Sequence, residues 1–168
     1  MKQNYSEKFD AFIAKEKVAT NLINSVGDLL YNKGIELVLF RRHLLDTNVS
    51  EILRLYQYAT NFVKKPINIF DSADLAEILT KMDLAPSKID IGKLTYEWLM
   101  DKSKHKNKLD FLNTKIGFLK NSKDKIQTPK DVVLYGFGRI GRLCARELIK
   151  QAGKGQQLRL KGIILRKI

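Results

Sequence analysis

Apolar side chains recur every three or four positions through most of residues 1–125, which is the spacing of one face of an α-helix. The clearest repeat lies in residues 51–64, where Ser50 can cap the start of a helix and Pro66 prevents its continuation. The same spacing predicts further helices over residues 5–32, after Asp71 or Ser72, from Pro86 to Trp98 and from Leu109 to Leu119. This part of the chain is therefore expected to be mainly α-helical.

A short apolar run between Ile35 and Leu45 does not follow this spacing clearly. A continuous apolar run of such length suits a buried strand or a buried helix. Because the segments on both sides predict helices, we predict a helix here as well.

The pattern changes at Lys130. Residues 131–135 form a short apolar run with β-branched side chains, as expected of a buried strand, and a glycine-rich stretch follows at once. Apolar positions in residues 140–148 then share one face of a helix, and residues 158–165 form a second run typical of a strand. The predicted order is strand, glycine turn, helix, strand.

The polar stretch from Asn121 to Pro129 is typical of a linker between these two parts. We therefore predict a mainly α N-terminal segment over residues 1–127. An incomplete α/β Rossmann-type unit (β-α-β) is predicted to follow over residues 128–168.

The glycines of the turn have the spacing G-x-G-x-x-G between a predicted strand and a predicted helix, which is the context of a dinucleotide-binding turn. Gly136 would allow the tight turn, Gly138 the approach of a pyrophosphate, and Gly141 close packing of helix on strand. The helix start around Arg139 and Ile140 would offer free N–H groups to phosphate oxygens. A glycine-rich turn without a ligand is the alternative.

The run Tyr-Gly-Phe-Gly-Arg-Ile-Gly-Arg-Leu, which begins at Tyr135, resembles the N-terminal signature of glyceraldehyde-3-phosphate dehydrogenases, Asn-Gly-Phe-Gly-Arg-Ile-Gly-Arg. The match runs without a gap from Gly136 to Arg142, and the core resemblance covers residues 131–168. The preceding helical segment looks like the N-terminal extension of a long bacterial variant of this family, through the stretches that begin at Ile35 and Ser87.

The resemblance implies an oxidoreductase that converts glyceraldehyde 3-phosphate, NAD or NADP, and phosphate into 1,3-bisphosphoglycerate. It implies cofactor binding by Gly136, Phe137, Gly138, Arg139, Ile140, Gly141 and Arg166. In NAD-preferring members an acidic residue stands where Arg166 stands here. An arginine there could pair with the 2′-phosphate of NADP or simply face solvent, so the choice of cofactor stays open.

Enzymes of this family work through a cysteine thiolate that a histidine activates. The family's Ser-Cys-Thr-Thr-Asn motif is absent from this sequence, and neither His43 nor His105 has a matching context. Cys144 lies on the apolar face of the predicted helix, and we expect it to be a buried packing residue. We therefore expect no catalytic and no metal-binding residue, and a truncated or split product that is inactive alone.

The formal net charge is +13, and residues 128–168 carry ten lysines and arginines against two carboxylates. A basic surface attracts nucleic acid, anionic lipid or phosphorylated small molecules. The strongest basic run, Lys102 to Lys108, has no interleaved aromatic residue, so nucleic acid is not expected as a partner.

The sequence has no apolar stretch of the length that a secretory signal or a membrane span requires, and its one cysteine can form no internal disulfide. A cytoplasmic location is therefore expected.

The expected partners are the dinucleotide and, in the full-length enzyme only, the phosphorylated aldehyde and further copies of the chain in a homo-oligomer. The alternative function is a non-catalytic helical module for interaction or assembly.

Overall fold

The computed structural model describes residues 2–121, 130–150 and 158–165. The first range contains the helices and strands α1 (Lys2–Lys33), β1 (Ile35–Leu39), β2 (Arg42–His43), α2 (Val49–Asn61), α3 (Ile69–Lys81), β3 (Ser87–Asp90), α4 (Ile91–Asp101) and α5 (Lys108–Ile116). Short 3-10 turns follow α4 at Lys102–Lys104 and α5 at Gly117–Asn121. The later ranges contain β4 (Lys130–Tyr135), α6 (Arg139–Lys150) and β5 (Leu158–Ile164). No helix in these ranges is long and apolar enough to cross a bilayer.

The predicted helix between Ile35 and Leu45 is wrong, because this run forms the strands β1 and β2. These strands belong to a three-stranded sheet in the order β2-β1-β3, in which β1 is antiparallel to β2 and parallel to β3. Four of the five residues of β1 are buried. A continuous apolar run suits such a central strand, since both faces of the strand are covered.

The predicted helix from Pro86 to Trp98 is wrong over its first residues, where Ser87–Asp90 form β3. These residues pair with Ile35–Val38 of β1, and the pairing satisfies the backbone polar groups that face this strand. The helix begins only at Ile91, where the side chain of Asp90 accepts a hydrogen bond from the N–H of Lys93 at 3.0 Å.

The helices predicted from residues 51–64, after Asp71 or Ser72 and from Leu109 are confirmed as α2, α3 and α5. Asparagine caps all three at their N-termini. The expected cap Ser50 is wrong, because α2 begins at Val49 and Asn48 forms a reciprocal capping box with Glu51. Their apolar faces and the small sheet enclose one hydrophobic core, whose fully buried members include Leu22, Leu29, Leu37, Ile52, Leu79 and Phe111.

The last two ranges confirm the predicted order of strand, glycine turn, helix and strand. We call β4, α6 and β5 together the C-terminal unit. The two strands are parallel, with Lys130 opposite Leu158 and Tyr135 opposite Ile164. The fold is thus a mainly α segment followed by an incomplete α/β unit. The boundary expected at residue 127 lies outside the described residues.

Candidate functional site

The connection from β4 to α6 consists of Gly136, Phe137 and Gly138. The N–H of Gly136 donates to the carbonyl oxygen of Ile164 at 2.8 Å, so the sheet continues into the first residue of the turn. The chain then reverses at the same residue, whose φ is +94°. Because side chains with a Cβ rarely adopt this backbone conformation, glycine is required there.

Gly141 lies in the first turn of α6 and packs against the backbone of the preceding connection. A Cβ built on Gly141 would overlap the carbonyl oxygen of Gly136. The start of the helix therefore rests directly on the glycine turn, which only a residue without a side chain allows.

Gly138 has the opposite environment, because a Cβ built on it would meet no atom within 4 Å. Its carbonyl oxygen accepts the N–H of Arg142 at 3.0 Å, which is the first hydrogen bond of the helix. Among the described residues the N–H groups of Arg139, Ile140 and Gly141 have no acceptor. These three donors lie at the positive end of the helix dipole, where a negative charge would be stabilised.

The charges around the turn suit an anion. The first turn of α6 contains no acidic residue, and the side chains of Arg139 and Arg142 are exposed. Asp131 at the start of β4 is paired with Arg159 of β5 at 2.7 Å. The hydrogen bond from Arg159 lowers the pKa of Asp131 below its ordinary value, so this carboxylate stays ionised. It forms an ion pair between the two strands.

The structure brings the six consecutive residues of the predicted cofactor site into one turn and the first turn of one helix. Arg166 lies outside the described residues.

His43 lies on β2 with its Nδ1 2.7 Å from Glu36, and His105 packs edge-on against Phe111. Across the described ranges, no three histidine, cysteine or acidic side chains are grouped closely enough to hold a metal ion.

The expectation that Cys144 is buried is wrong, because its side chain is exposed. Gly141 packs against the glycine turn, and Ala145, one helical turn later, is buried, so this side of α6 is its contact face. The apolar repeat through Leu143 and Cys144 lies beside this contact face. Two strands are too narrow to cover an apolar stripe of that width.

A cavity of about 420 Å³ lies between α1, α2 and the start of α3. Its lining mixes aromatic rings such as Phe12 and Phe70 with the amides of Gln57, Asn61 and Asn68. As the described residues define it, the lining contains no histidine, cysteine or carboxylate, and its ionisable side chains are Lys15 and Tyr56, of which burial raises the pKa of Tyr56. The glycine turn is therefore the stronger candidate for a functional site.

The described residues form a mainly α segment and an incomplete β-α-β unit whose glycine turn presents backbone N–H groups. The chain is similar to the glyceraldehyde-3-phosphate dehydrogenase-like protein of Pseudomonas aeruginosa (strain UCBPP-PA14), with 27% identity over 149 residues. The alignment covers 87% of this chain and 32% of that protein. The chain thus spans about a third of the length of this curated relative. No protein-family model matches the chain.

The similarity extends well beyond the glycine turn. An alignment that covers 87% of the chain must include most of the N-terminal segment, because the C-terminal unit is far shorter than the matched length. The comparison therefore indicates a distant relationship to a glyceraldehyde-3-phosphate dehydrogenase-like protein that involves both parts of the chain.

Proposed function

We propose that this chain is the N-terminal part of a glyceraldehyde-3-phosphate dehydrogenase-like oxidoreductase and supplies the turn that binds the pyrophosphate of NAD or NADP. The observation that carries this proposal is the open space at Gly138 beside three backbone N–H groups without an acceptor. A diphosphate needs such a combination, since its oxygens must approach the backbone closely to accept hydrogen bonds.

In this proposal each residue of the turn has a separate task. Gly136 reverses the chain and Gly141 seats the helix, while Gly138 leaves room for the phosphates. The N–H groups of Arg139 and Ile140 donate to phosphate oxygens, and the exposed guanidinium groups of Arg139 and Arg142 add positive charge. The bound dinucleotide would supply the hydride acceptor of the reaction.

The rest of the enzymatic cycle belongs to the proposal for the whole protein. That protein would convert glyceraldehyde 3-phosphate and phosphate into 1,3-bisphosphoglycerate, as a homo-oligomer in the cytoplasm. The present sequence contains no Ser-Cys-Thr-Thr-Asn motif. We therefore expect no dehydrogenase activity from this chain by itself. Pairing of Arg166 with a 2′-phosphate would favour NADP over NAD.

The experiment is a titration of the isotope-labelled chain with NAD, NADP and inorganic pyrophosphate, followed by the NMR shifts of backbone amides. We expect the amides of residues 138–141 to shift most. The variant Gly138→Ala keeps the free fold, since its methyl group meets no atom, but it should obstruct the phosphates. Gly117→Ala, which adds a methyl group in equally open space elsewhere, is the matched control.

Loss of the shifts in Gly138→Ala but not in Gly117→Ala would support the proposal. Shifts that are equal in both variants, or that lie outside the turn, would refute it. Tighter binding of NADP than of NAD would support the role of Arg166 if the variant Arg166→Asp no longer shows this difference in affinity.

A second candidate is a helical module for interaction or assembly. The observation that favours it is that, among the described residues, those of the hydrophobic core all lie between positions 18 and 119. Residues 1–127 produced separately should then unfold cooperatively, and their mass in solution should increase when the partner is present. A non-cooperative transition would rule out an independent module.

A further inference from the structure

Arg42, Tyr58 and Phe62 form a continuous stack on the surface of the N-terminal segment, which we call the Arg-Tyr-Phe stack. The guanidinium carbon of Arg42 lies 5.0 Å from the ring centroid of Tyr58. The rings of Tyr58 and Phe62 are stacked with centroids 5.6 Å apart and planes inclined by 23°. Phe62 ends the stack and is 75% exposed, so it offers an aromatic face to an external ligand.

The arginine of this stack is presented by a constrained turn between β1 and β2. Phe40 and Arg41 both have left-handed backbone conformations, with φ of 46° and 68°. Non-glycine residues adopt this conformation at a cost, and here the N–H groups of both donate to the carboxylate of Asp90 at 2.9 and 3.2 Å. The turn therefore holds two adjacent arginines at its exposed side.

Unpaired positive charges belong to the same elements. Arg41 at the turn, Arg54 one helical turn before Tyr58, and Lys64 just after Phe62 are exposed and form no ion pair within the ranges described. The carboxylates of β1 and α2 are already engaged, since Glu36 binds His43 and Lys88 and Glu51 belongs to the capping box of α2. The unpaired cations of this surface could therefore bind a polyanion, and β1 and α2 carry no free carboxylate that would repel it.

The lysines that the sequence singles out have a different environment. Lys104 is paired with Asp101 at 2.6 Å, and Lys108 is paired with Asp71 and Asp74 at 2.6 Å each. The run from Lys102 to Lys108 is therefore partly neutralised. The expectation against nucleic acid rested on this run, whereas aromatic rings and unpaired cations lie together at the Arg-Tyr-Phe stack.

We propose that the Arg-Tyr-Phe stack and its neighbouring cations bind single-stranded nucleic acid. An unpaired base continues the stack on the open face of Phe62, while Arg41, Arg54 and Lys64 neutralise phosphates. The ligand must be both polyanionic and a source of free planar rings. Bases in a duplex are already stacked on each other, so a single strand fits this surface and a duplex does not.

The test uses the complete chain and fluorescently labelled oligothymidylate of about 12 nucleotides, a length within the usual range of single-strand sites. Binding is followed by fluorescence anisotropy, and a hairpin duplex and vesicles containing phosphatidylglycerol are measured in parallel. We expect the single strand to bind more tightly than the duplex, with an affinity that falls as salt rises.

Phe62→Ala should weaken single-strand binding roughly 5- to 100-fold, the range expected for the loss of one base-stacking contact. Phe118→Ala is the matched control, because Phe118 is a phenylalanine of similar exposure (71%) on another element. Arg41→Gln should reduce the slope of log affinity against log salt by about 0.7, as for one phosphate contact. Lys106→Gln should leave the slope unchanged.

Equal binding of duplex and single strand would overturn the proposal, as would equal effects of Phe62→Ala and Phe118→Ala. Absence of oligonucleotide binding at low salt would also overturn it. Vesicle binding that Phe62→Ala abolishes, with oligonucleotide binding unaltered, would assign the surface to lipid instead and exclude nucleic acid.

Discussion

The N-terminal segment and the C-terminal unit both contain helices and strands, but they differ in how far their apolar side chains are buried. Strand β1 and the helices around it bury residues such as Leu37 and Phe111 completely. In the C-terminal unit, Val133 and Ile164 are exposed and Tyr135 is 77% exposed, and Ala145 is the one apolar residue buried among those described there.

This difference shows that burial depends on the layers available and not on the pattern of one element. In β4 the half-buried Val132 and Leu134 alternate with exposed Val133 and Tyr135, as the two faces of a strand alternate. Parallel sheets are normally covered on both faces, and two strands with one helix cover only one. The apolar residues on the other face of the described unit therefore stay in solvent.

The largest expected effect comes from truncating one side chain in each region and comparing the loss in the free energy of unfolding. Phe111→Ala removes a fully buried ring that packs edge-on against Trp98, and we expect a loss of about 3–5 kcal/mol in the free energy of unfolding. The matched truncation Tyr135→Ala, which removes a ring of similar size from the exposed face of β4, should cost well under about 1 kcal/mol. Urea denaturation followed by far-UV circular dichroism measures both. Equal costs would contradict the proposed contrast.

A smaller effect is expected at Asp90, which joins the β1-β2 turn to the start of α4. Its carboxylate accepts hydrogen bonds from the N–H groups of Phe40, Arg41 and Lys93. Asp90→Ala should therefore lower the free energy of unfolding by about 2–3 kcal/mol, through a lost cap and unsatisfied donors. Asp10→Ala on the exposed side of α1 is the control. An unaltered urea midpoint in Asp90→Ala would show that the turn is stable without this anchor.

In the C-terminal unit the corresponding test is Gly141→Ala. The added methyl group overlaps the carbonyl oxygen of Gly136, so the first turn of α6 must move at a local cost of about 1–3 kcal/mol. Hydrogen exchange should accelerate in α6 and remain unchanged in α1 to α5, while Gly117→Ala should alter neither region. Acceleration throughout the chain would mean that the two regions unfold together.

The smallest effect concerns the ion pair between Asp71 and Lys108. Burial alone would raise the pKa of Asp71, but hydrogen bonds from Lys108 and Asn68 and the charge of Lys108 outweigh it, so this pKa is lowered. A lowered folded-state pKa contributes stability that is present above about pH 3.9 and is lost as pH falls through the folded-state value.

The variant Lys108→Gln should therefore flatten the decline of the thermal midpoint below about pH 4, whereas Lys106→Gln should not. The midpoint is measured by circular dichroism in a series of buffers. A parallel decline in both variants would show that other carboxylates dominate acid unfolding.

The sequence predicts best what short segments determine by themselves. The helix α2 follows from its apolar face and Pro66, and the glycine turn follows from three glycines within six residues. In both cases the interactions that form the structure lie between neighbours along the chain, so a local pattern is enough.

The sequence predictions that are wrong concern residues whose structure depends on contacts with distant parts of the chain. The strand Ile35–Leu39 pairs with Ser87–Asp90, about 50 residues later, and no local feature indicates that pairing. The Arg-Tyr-Phe stack joins Arg42 to Tyr58 across two elements in the same way. The amphipathic pattern of α6 predicts a buried Cys144, but a pattern within one helix does not show which part of its apolar stripe two strands can cover.

The exposed thiol of Cys144 has a practical consequence. It is the chain's single cysteine, and Trp98 is its single tryptophan. A maleimide dye would therefore attach at one position in α6, and excitation of the indole in α4 would transfer energy to that dye alone. The unmodified sequence thus already carries a donor and an acceptor position for measuring how far apart the two regions lie in solution.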